Sequence, residues 1–262
     1  MALKIITGIP GSGKTLETTR IALKHYHKMN NPIRKSIMHI GSILHIKKFK
    51  EEFNYYSIFP YGKINNIYSN YPVLLDKKRG IYSNRITLWD LDGSYSFYPH
   101  SEILMDEVQL YVDSDEYKDK VQNYKIRKIA KFLQAHRHFG IDDIYFVSQH
   151  PSRVFKKARN ICECYIKQDK LIHIPFTPYM ISHCTGYYEF EFYGRYIPRS
   201  KEERKKLPFD YFKKYHIFNS KKVFKAYDSC YLSLYNYTKE LKEGTFDGPK
   251  LDIQKLEALF ND

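Results

Sequence analysis

Gly8-Ile9-Pro10-Gly11-Ser12-Gly13-Lys14-Thr15 sets three glycines, a lysine and a hydroxyl at the spacing G-x-x-x-x-G-K-[ST]. Glycines let successive backbone N–H groups turn inward without Cβ clashes, so several donors converge on phosphate oxygens where a helix begins. In that arrangement Lys14 reaches the β- and γ-phosphates of a nucleotide and Thr15 offers its hydroxyl to Mg2+. A glycine turn with an accidental lysine would carry the same letters, so the flanking elements decide. Residues 3–7 read as a short buried strand. The run from Thr15 to about Lys28, with Leu16, Thr19, Ile21, Ala22, Leu23 and Tyr26, reads as the helix that must follow. Strand, loop and helix in that order predict a nucleotide phosphate site.

A second piece of the same chemistry lies downstream. Glu102-Ile103-Leu104-Met105-Asp106-Glu107 is an apolar run ending in two carboxylates. Asp106 at a strand end beside the glycine loop would hold magnesium through water, and Glu107 would orient or deprotonate an attacking water. Taken alone, an acid pair after an apolar run is an ordinary solvated strand end; with the glycine loop it implies hydrolysis. The third piece is Ile141-Asp142-Asp143-Ile144-Tyr145-Phe146-Val147-Ser148, a β-rich run ending in Gln149 and closed by His150-Pro151. Gln149 is placed to sense the γ-phosphate or the attacking water. Between the second and third pieces, residues 116–139 read as one helix with Ile126, Ile129, Ala130 and Leu133 on one face. Gly140 is its natural C-cap.

The order GIPGSGKT, ILMDEVQ, QAHRHFGIDDIYFVSQHP resembles the zonula occludens toxin (Zot) family, which includes the filamentous-phage assembly ATPases and is placed near the DNA-pumping FtsK–HerA ATPases. The resemblance covers roughly residues 1–160, and residues 223–229 are only faintly similar to a later family segment. It implies ATP and Mg2+ as ligands, with Gly8, Gly11, Gly13, Lys14, Thr15, Asp106, Glu107 and Gln149 as the nucleotide site. It further implies a homo-oligomeric ring at the cytoplasmic face of the inner membrane, phage DNA or a DNA–protein complex as cargo, and membrane-embedded assembly partners. The function it implies is an ATP-hydrolysing motor for assembly and export of filamentous virions. The alternatives are a DNA translocase or packaging ATPase, and a nucleotide-switched adaptor or toxin-like protein with slow turnover; Glu107 weighs against a pure switch.

Such motors complete their site with an arginine from a neighbouring subunit. Arg153 and Arg159, just beyond the glutamine strand, are the candidates, and a solvated helix face is their plainer reading. Arg137 precedes that strand and should be structural. The family commonly carries one membrane-spanning helix after the ATPase domain. Here no stretch approaches the ~20 apolar residues such a helix needs. The glycine-loop strand also starts almost at Met1, leaving no room for a signal peptide. The expectation is either a chain cut before that helix or a branch that reaches the membrane through a partner.

A chain of 262 residues can bury a full α/β core and a smaller appendage. Its four cysteines are Cys162, Cys164, Cys184 and Cys230. A metal reading would join Cys162 and Cys164 to His173, His183 and Cys184, but zinc knuckles use C-x₂₋₄-C spacing and this set is poor. Reduced, buried packing is the better reading. The net charge of +14 and the 25 tyrosines suit nucleic acid. The same composition follows from an AT-rich genome, and both readings stay open. Lysine and arginine cluster at residues 46–50, 153–159 and 199–206, where an anionic membrane would be attracted as well.

The elements that must position these residues form an α/β P-loop NTPase fold, a mainly parallel sheet flanked by helices with a smaller β-rich and helical C-terminal extension. The glutamine strand should lie between the glycine-loop strand and the Asp-Glu strand. Residues 1–160 form the expected core, with a hairpin-containing insertion at about 41–100. Residues 161–198 form a β-rich extension and 199–262 a basic, partly helical segment. A second strand is expected at residues 36–40, and a hairpin pairing 85–90 with 95–98 around a turn at 91–94. Beyond Pro151 a helix should run to about Asn160. Strands are then expected at 162–167, 170–174 and 187–193, with a helical piece at 251–260 and turns at Gly244 and 247–249.

Overall fold

The computed structural model describes residues 2–59, 62–112, 120–187 and 211–227. Strand β1 (Ala2–Thr7) has Leu3, Ile5 and Ile6 fully buried, which requires cover on both of its faces. Helix α1 (Lys14–Met29) supplies one cover, packing Ala22 and Tyr26 near Ile6, Leu104 and Val147. Helices α4 (Lys120–Ala135) and α5 (Lys156–Ile161) supply the other. Ile126, Ile129, Phe132, Leu133 and Ala158 share a core with Leu3, Ile5, Ile103, Ile144 and Phe146. The near-continuous apolar runs in the strands follow from this sandwich, since a parallel sheet with helices on both faces has no polar side.

The sheet has eight strands in the order β10-β9-β8-β1-β7-β6-β2-β5. Its members are β2 (Ile67–Ser69), β5 (Asn84–Arg85), β6 (Ser101–Met105), β7 (Ile141–Ser148), β8 (Cys164–His173), β9 (Tyr179–Tyr187) and β10 (Tyr211–Asn219). Strands β8, β1, β7, β6, β2 and β5 are mutually parallel, and β9 and β10 continue the edge antiparallel. The glutamine strand β7 lies between β1 and β6, as the motif order predicts. Thr7 pairs with Ser148 and Met105 with Phe146, so the residues following β1, β6 and β7 meet at one edge of the sheet. The β-rich region after residue 161 joins the same sheet, because β8 pairs directly with β1.

Local expectations fail where a cap or a tertiary contact outweighs propensity. Residues 36–40 are not a strand; they lie inside helix α2 (Pro32–Ile43). Asn31 caps it by accepting from the Ile33 N–H at 2.9 Å, and Pro32 starts it with its ring-fixed φ. Helix α3 (Lys47–Ser57) folds back on α2, with Phe49 packed where a Cβ on Gly41 would stand. The hairpin at 85–98 is absent as well. Asp90 accepts from the Thr87 N–H at 2.6 Å and hydroxyl at 2.8 Å, closing a short 3-10 turn over Leu88–Asp92. The aromatic side chains after it then pack instead of pairing: Phe97 lies edge-on to Tyr68 and Tyr95 contacts both. The hairpin of this region is β3 (Leu74–Asp76) with β4 (Ile81–Tyr82).

The long helix before β7 is α4 followed by a 3-10 turn, His136–Phe139, ended by Gly140 at φ 76°. The helix after Pro151 is split into a 3-10 turn, Pro151–Arg153, and α5, with extended backbone at Val154 and Phe155 between them. The strands expected at 162–167 and 170–174 are one strand, β8 (Cys164–His173), irregular between Gln168 and Lys170; Cys162 instead caps the end of α5. Helix α6 (Ser220–Phe224) follows β10 and packs on α1. Of the strand expected at 187–193 only Tyr187 is described, as the last residue of β9; its other residues, the basic cluster at 199–206, Cys230, residues 228–229 and 116–119, and the features at 244, 247–249 and 251–260 lie outside the described residues. Among the described residues, no helix is long and apolar enough to cross a membrane.

Gly41 sits against the Phe49 ring, so Gly41→Ala should wedge α2 from α3 at a cost of about 1–3 kcal/mol, less the helix propensity that alanine adds. Hydrogen exchange should speed up in α2 and α3 and stay unchanged in β1 and α1.

Candidate nucleotide site

The loop between β1 and α1 is shaped by two glycines that no other residue could replace without movement. Gly13, at φ 90°, is the left-handed residue before α1, and a Cβ there would enter Leu171 of β8. At Gly8 a Cβ would stand 2.7 Å from the carbonyl oxygen of Gln168. The loop is thus seated against β8 on one side and opens on the other, where the first N–H groups of α1 have no intrahelical acceptor. No side chain caps α1. The Ser12 hydroxyl is buried with no hydrogen-bond partner. Lys14 is 7% exposed, and its Nζ donates to the carbonyls of Gly8 at 3.0 Å and Ile9 at 3.2 Å, across the loop's own mouth. Ile9, Pro10 and Gly11 form the exposed rim. An uncapped helix start, an orphaned hydroxyl and a folded-back ammonium all suit phosphate oxygens.

Thr15 donates its hydroxyl to Asp106 Oδ2 at 2.7 Å. Asp106 is 1% exposed and follows the last residue of β6, so the two residues meet across the strand ends. A hydroxyl and a carboxylate oxygen at this separation form the hard oxygen pair that Mg2+ takes, and the residues present fit that ion. Asn70, just after β2, holds Asp106 in place through both of its peptide groups. Its Oδ1 accepts from the Asp106 N–H and its Nδ2 donates to the Asp106 carbonyl, each at 2.8 Å. Tyr71 is buried behind α1 and bonds the Thr18 hydroxyl at 2.9 Å. Burial, with the Asp106 carboxylate adding to it, pushes the Tyr71 phenol far above its ordinary range, so it stays neutral.

Glu107 is half-buried and left-handed at φ 48°, ψ 48°, a conformation that costs a non-glycine residue about 1–2 kcal/mol. Its N–H bonds Asp106 Oδ1 at 3.0 Å and its carboxylate accepts from Gln109. Gln149 is exposed at the end of β7, one residue past Ser148. Arg153 is exposed just beyond it. Arg159 lies near the end of α5, which leads back toward the strand starts, and its Nε is buried without a partner. The structure therefore brings Lys14, Thr15, Asp106, Glu107 and Gln149 to one edge of the sheet and sets Arg159 away from it. Arg137 pairs with Glu163 at 3.0 Å; the Glu163 N–H bonds the Leu3 carbonyl at the start of β1, the far edge.

Beneath the loop, α1 is tied to the antiparallel edge. Glu17 accepts two bonds from Arg20, at 2.6 and 2.9 Å, and lies 2.9 Å from His216 Nδ1 on β10. Burial alone would raise the Glu17 carboxyl, but the hydrogen bonds from Arg20 and His216 outweigh it and bring it down to about 2. Cys184 lies beside this pair with its thiol pushed up to about 12, mainly by burial. Glu17, Cys184 and His216 bring three metal-ligand atoms within 4.8 Å of one another, a set that shares only Cys184 with the one weighed on spacing. Arg20 stands 3.2 Å from the His216 ring nitrogen, a cation already inside the cluster. Cys162, Cys164 and Cys184 are buried and unbridged. Asn70, Tyr71, Arg20 and His216 escape a reading of motifs, and Gln109, inside the Asp-Glu motif, has no role in that reading; the only signal for Asn70 is its place after β2, a strand three residues long.

The family model described as Zonular occludens toxin (Zot) matches residues 2–216. A search of the curated proteins returns no match. Among solved structures, the N-terminal domain of zonular occludens toxin from Neisseria meningitidis aligns at TM-score 0.46 and 16% identity, over 87% of this chain and 98% of that one. The genome packaging NTPase of Sulfolobus turreted icosahedral virus 2, in complex with ATP-gammaS, aligns at TM-score 0.33 and 15% identity, over 66% and 76% of the two chains. The RadB recombinase aligns at TM-score 0.32 and 13% identity, over 70% and 80%.

Asn70→Ala should remove two buried hydrogen bonds to the Asp106 peptide groups, costing about 1–3 kcal/mol in denaturant unfolding. The Glu17 carboxyl is depressed on folding from 4.5 to about 2, so its contribution is complete above the unfolded value and is lost as pH falls between these limits. Glu17→Gln should therefore be less stable than the parent chain at neutral pH, and the gap should close as unfolding is repeated from about pH 4.5 down to about 2.

Proposed function

The chain belongs to the zonular occludens toxin (Zot) family, and from this premise we propose that it is an ATP-hydrolysing motor that drives assembly and export of filamentous virions. The observation that carries the hydrolytic reading is the 2.7 Å contact between Thr15 and Asp106 beside a glycine loop with an orphaned Ser12 hydroxyl.

In this reading the loop N–H groups and Ser12 bind the β- and γ-phosphates, and Lys14 turns from the Gly8 and Ile9 carbonyls onto the γ-phosphate. Thr15 and Asp106 hold Mg2+, which when bound neutralises charge on the phosphate oxygens. Glu107, freed from Gln109, takes a proton from the attacking water as a general base. Gln149, at the end of the strand between the two, contacts the γ-phosphate or that water and couples its presence to β7. The left-handed backbone at Glu107 suits this role, since strain of this kind recurs where a side chain must be aimed. An arginine from a neighbouring copy in a homo-oligomeric ring completes the charge. Arg153 suits that task better than Arg159, being exposed at the nucleotide edge. The cargo is phage DNA or a DNA–protein complex, delivered at the cytoplasmic face of the inner membrane to membrane-embedded partners.

Lys14→Ala should abolish nucleotide binding. Glu107→Gln should keep binding and lower turnover about a hundredfold or more. Phosphate release with and without DNA checks both, and a Glu107→Gln rate equal to the parent rate would remove Glu107 from the mechanism.

A further inference from the structure

Helix α2 is apolar on its outer side. Ile33, Ile37, Ile40 and Leu44 follow one another at helical spacing, and they are 69%, 53%, 56% and 66% exposed. The inner side of α2 is already used, by Met38 in the small core with Tyr56 and Phe59 and by Gly41 against Phe49. Ile43, Leu44 and Ile46 extend the stripe over the tip of the α2–α3 hairpin, where His45 turns the chain at φ 57°. Single exposed aliphatic residues are commonplace, but a continuous aliphatic stripe marks a surface that is covered in use.

Charge decides what covers it. Residues 31–50 contain five lysines and arginines and no acidic residue. Arg34 is engaged with Glu52, and Lys35 with the Gly62 carbonyl. Lys47, Lys48 and Lys50 are exposed at the tip beside Ile46. Glu51 is exposed one turn further on in α3. A second copy set on this stripe would offer its Lys47, Lys48 and Lys50 no acidic partner anywhere in residues 31–50. A protein partner usually meets aromatic and arginine anchors, and this stripe is isoleucine and leucine. Aliphatic side chains edged by lysine, on a helix of about 18 Å that cannot span a bilayer, match an anionic lipid surface.

We propose that the α2–α3 hairpin is a membrane-docking element, which lays its isoleucine face into the headgroup region of an anionic bilayer with Lys47, Lys48 and Lys50 on the phosphates. It stands apart from the nucleotide chemistry, because none of these residues touches the glycine loop or Asp106. The surface also differs from the cluster at 199–206, which sequence alone singled out for lipid.

The test is flotation of the full chain with vesicles of phosphatidylcholine containing phosphatidylglycerol, and with vesicles of phosphatidylcholine alone. The parent chain should float with the anionic vesicles, less so as salt rises. Ile37→Gln combined with Ile40→Gln should weaken binding by roughly tenfold or more, since two buried aliphatic contacts are lost. Lys47→Glu with Lys48→Glu should remove the preference for anionic lipid. Unchanged hydrogen exchange in α3 and β1 would show that both variants fold, and phosphate release should equal that of the parent. Equal or negligible flotation of the parent with both vesicle types would overturn the proposal. So would isoleucine variants that float like the parent, or a parent oligomer that the isoleucine variants dissociate without any change in flotation.

Discussion

Everything at the nucleotide edge depends on holding Thr15 and Asp106 within hydrogen-bond reach although 91 residues separate them. That contact requires β1 and β6 to end level with each other, and β7 between them sets the register. It also requires a loop tight enough to start α1 just beyond Gly13, which only a residue without Cβ permits beside Leu171. Asn70 adds the last restraint by gripping the Asp106 peptide from β2, the strand on the other side of β6. The hydroxyl and the carboxylate are therefore held by four neighbouring strands, and a shift in any one would separate them.

Charge is arranged around the same helix at two levels. At its start, Lys14 is folded across the glycine loop and no side chain caps the first-turn N–H groups, so the helix dipole leaves a positive end there. One turn below, Glu17 is buried but kept ionised because Arg20 and His216 meet it with direct hydrogen bonds. This pairing fastens α1 to β10, so the antiparallel edge after residue 161 is mechanically part of the nucleotide-binding helix. The α2–α3 hairpin behaves differently. It shares a small core with Met29 of α1, Ile64 and Tyr98 and leaves its aliphatic side outward, which is why its surface and not its interior invites a role.

The strand, glycine turn and helix around the loop were legible in the sequence on their own, because the need for glycine and for a following helix is local to about ten residues. The same holds for the sheet's central order, since an apolar run ending in Asp-Glu and another ending in glutamine can reach the loop only as parallel neighbours. What failed were short elements whose local preference was ambiguous. Ile37 to Ile40 is β-branched enough to read as a strand, yet Asn31 and Pro32 nucleate a helix that Phe49 then packs. Thr87 and Asp90 close a turn inside what reads as a hairpin arm.

Sequence alone therefore determined which residues are candidates for holding phosphate and metal, because that choice depends on residue type and near spacing. Tertiary structure decided which of them meet. It put Arg153 at the nucleotide edge and turned α5 so that Arg159 lies toward the other, and it drew Asn70 and His216 into the support of the site from strands with no motif of their own. The physical reason is that hydrogen bonds and ion pairs act over about 3 Å, and no local pattern in a chain reports which distant residue will come that close.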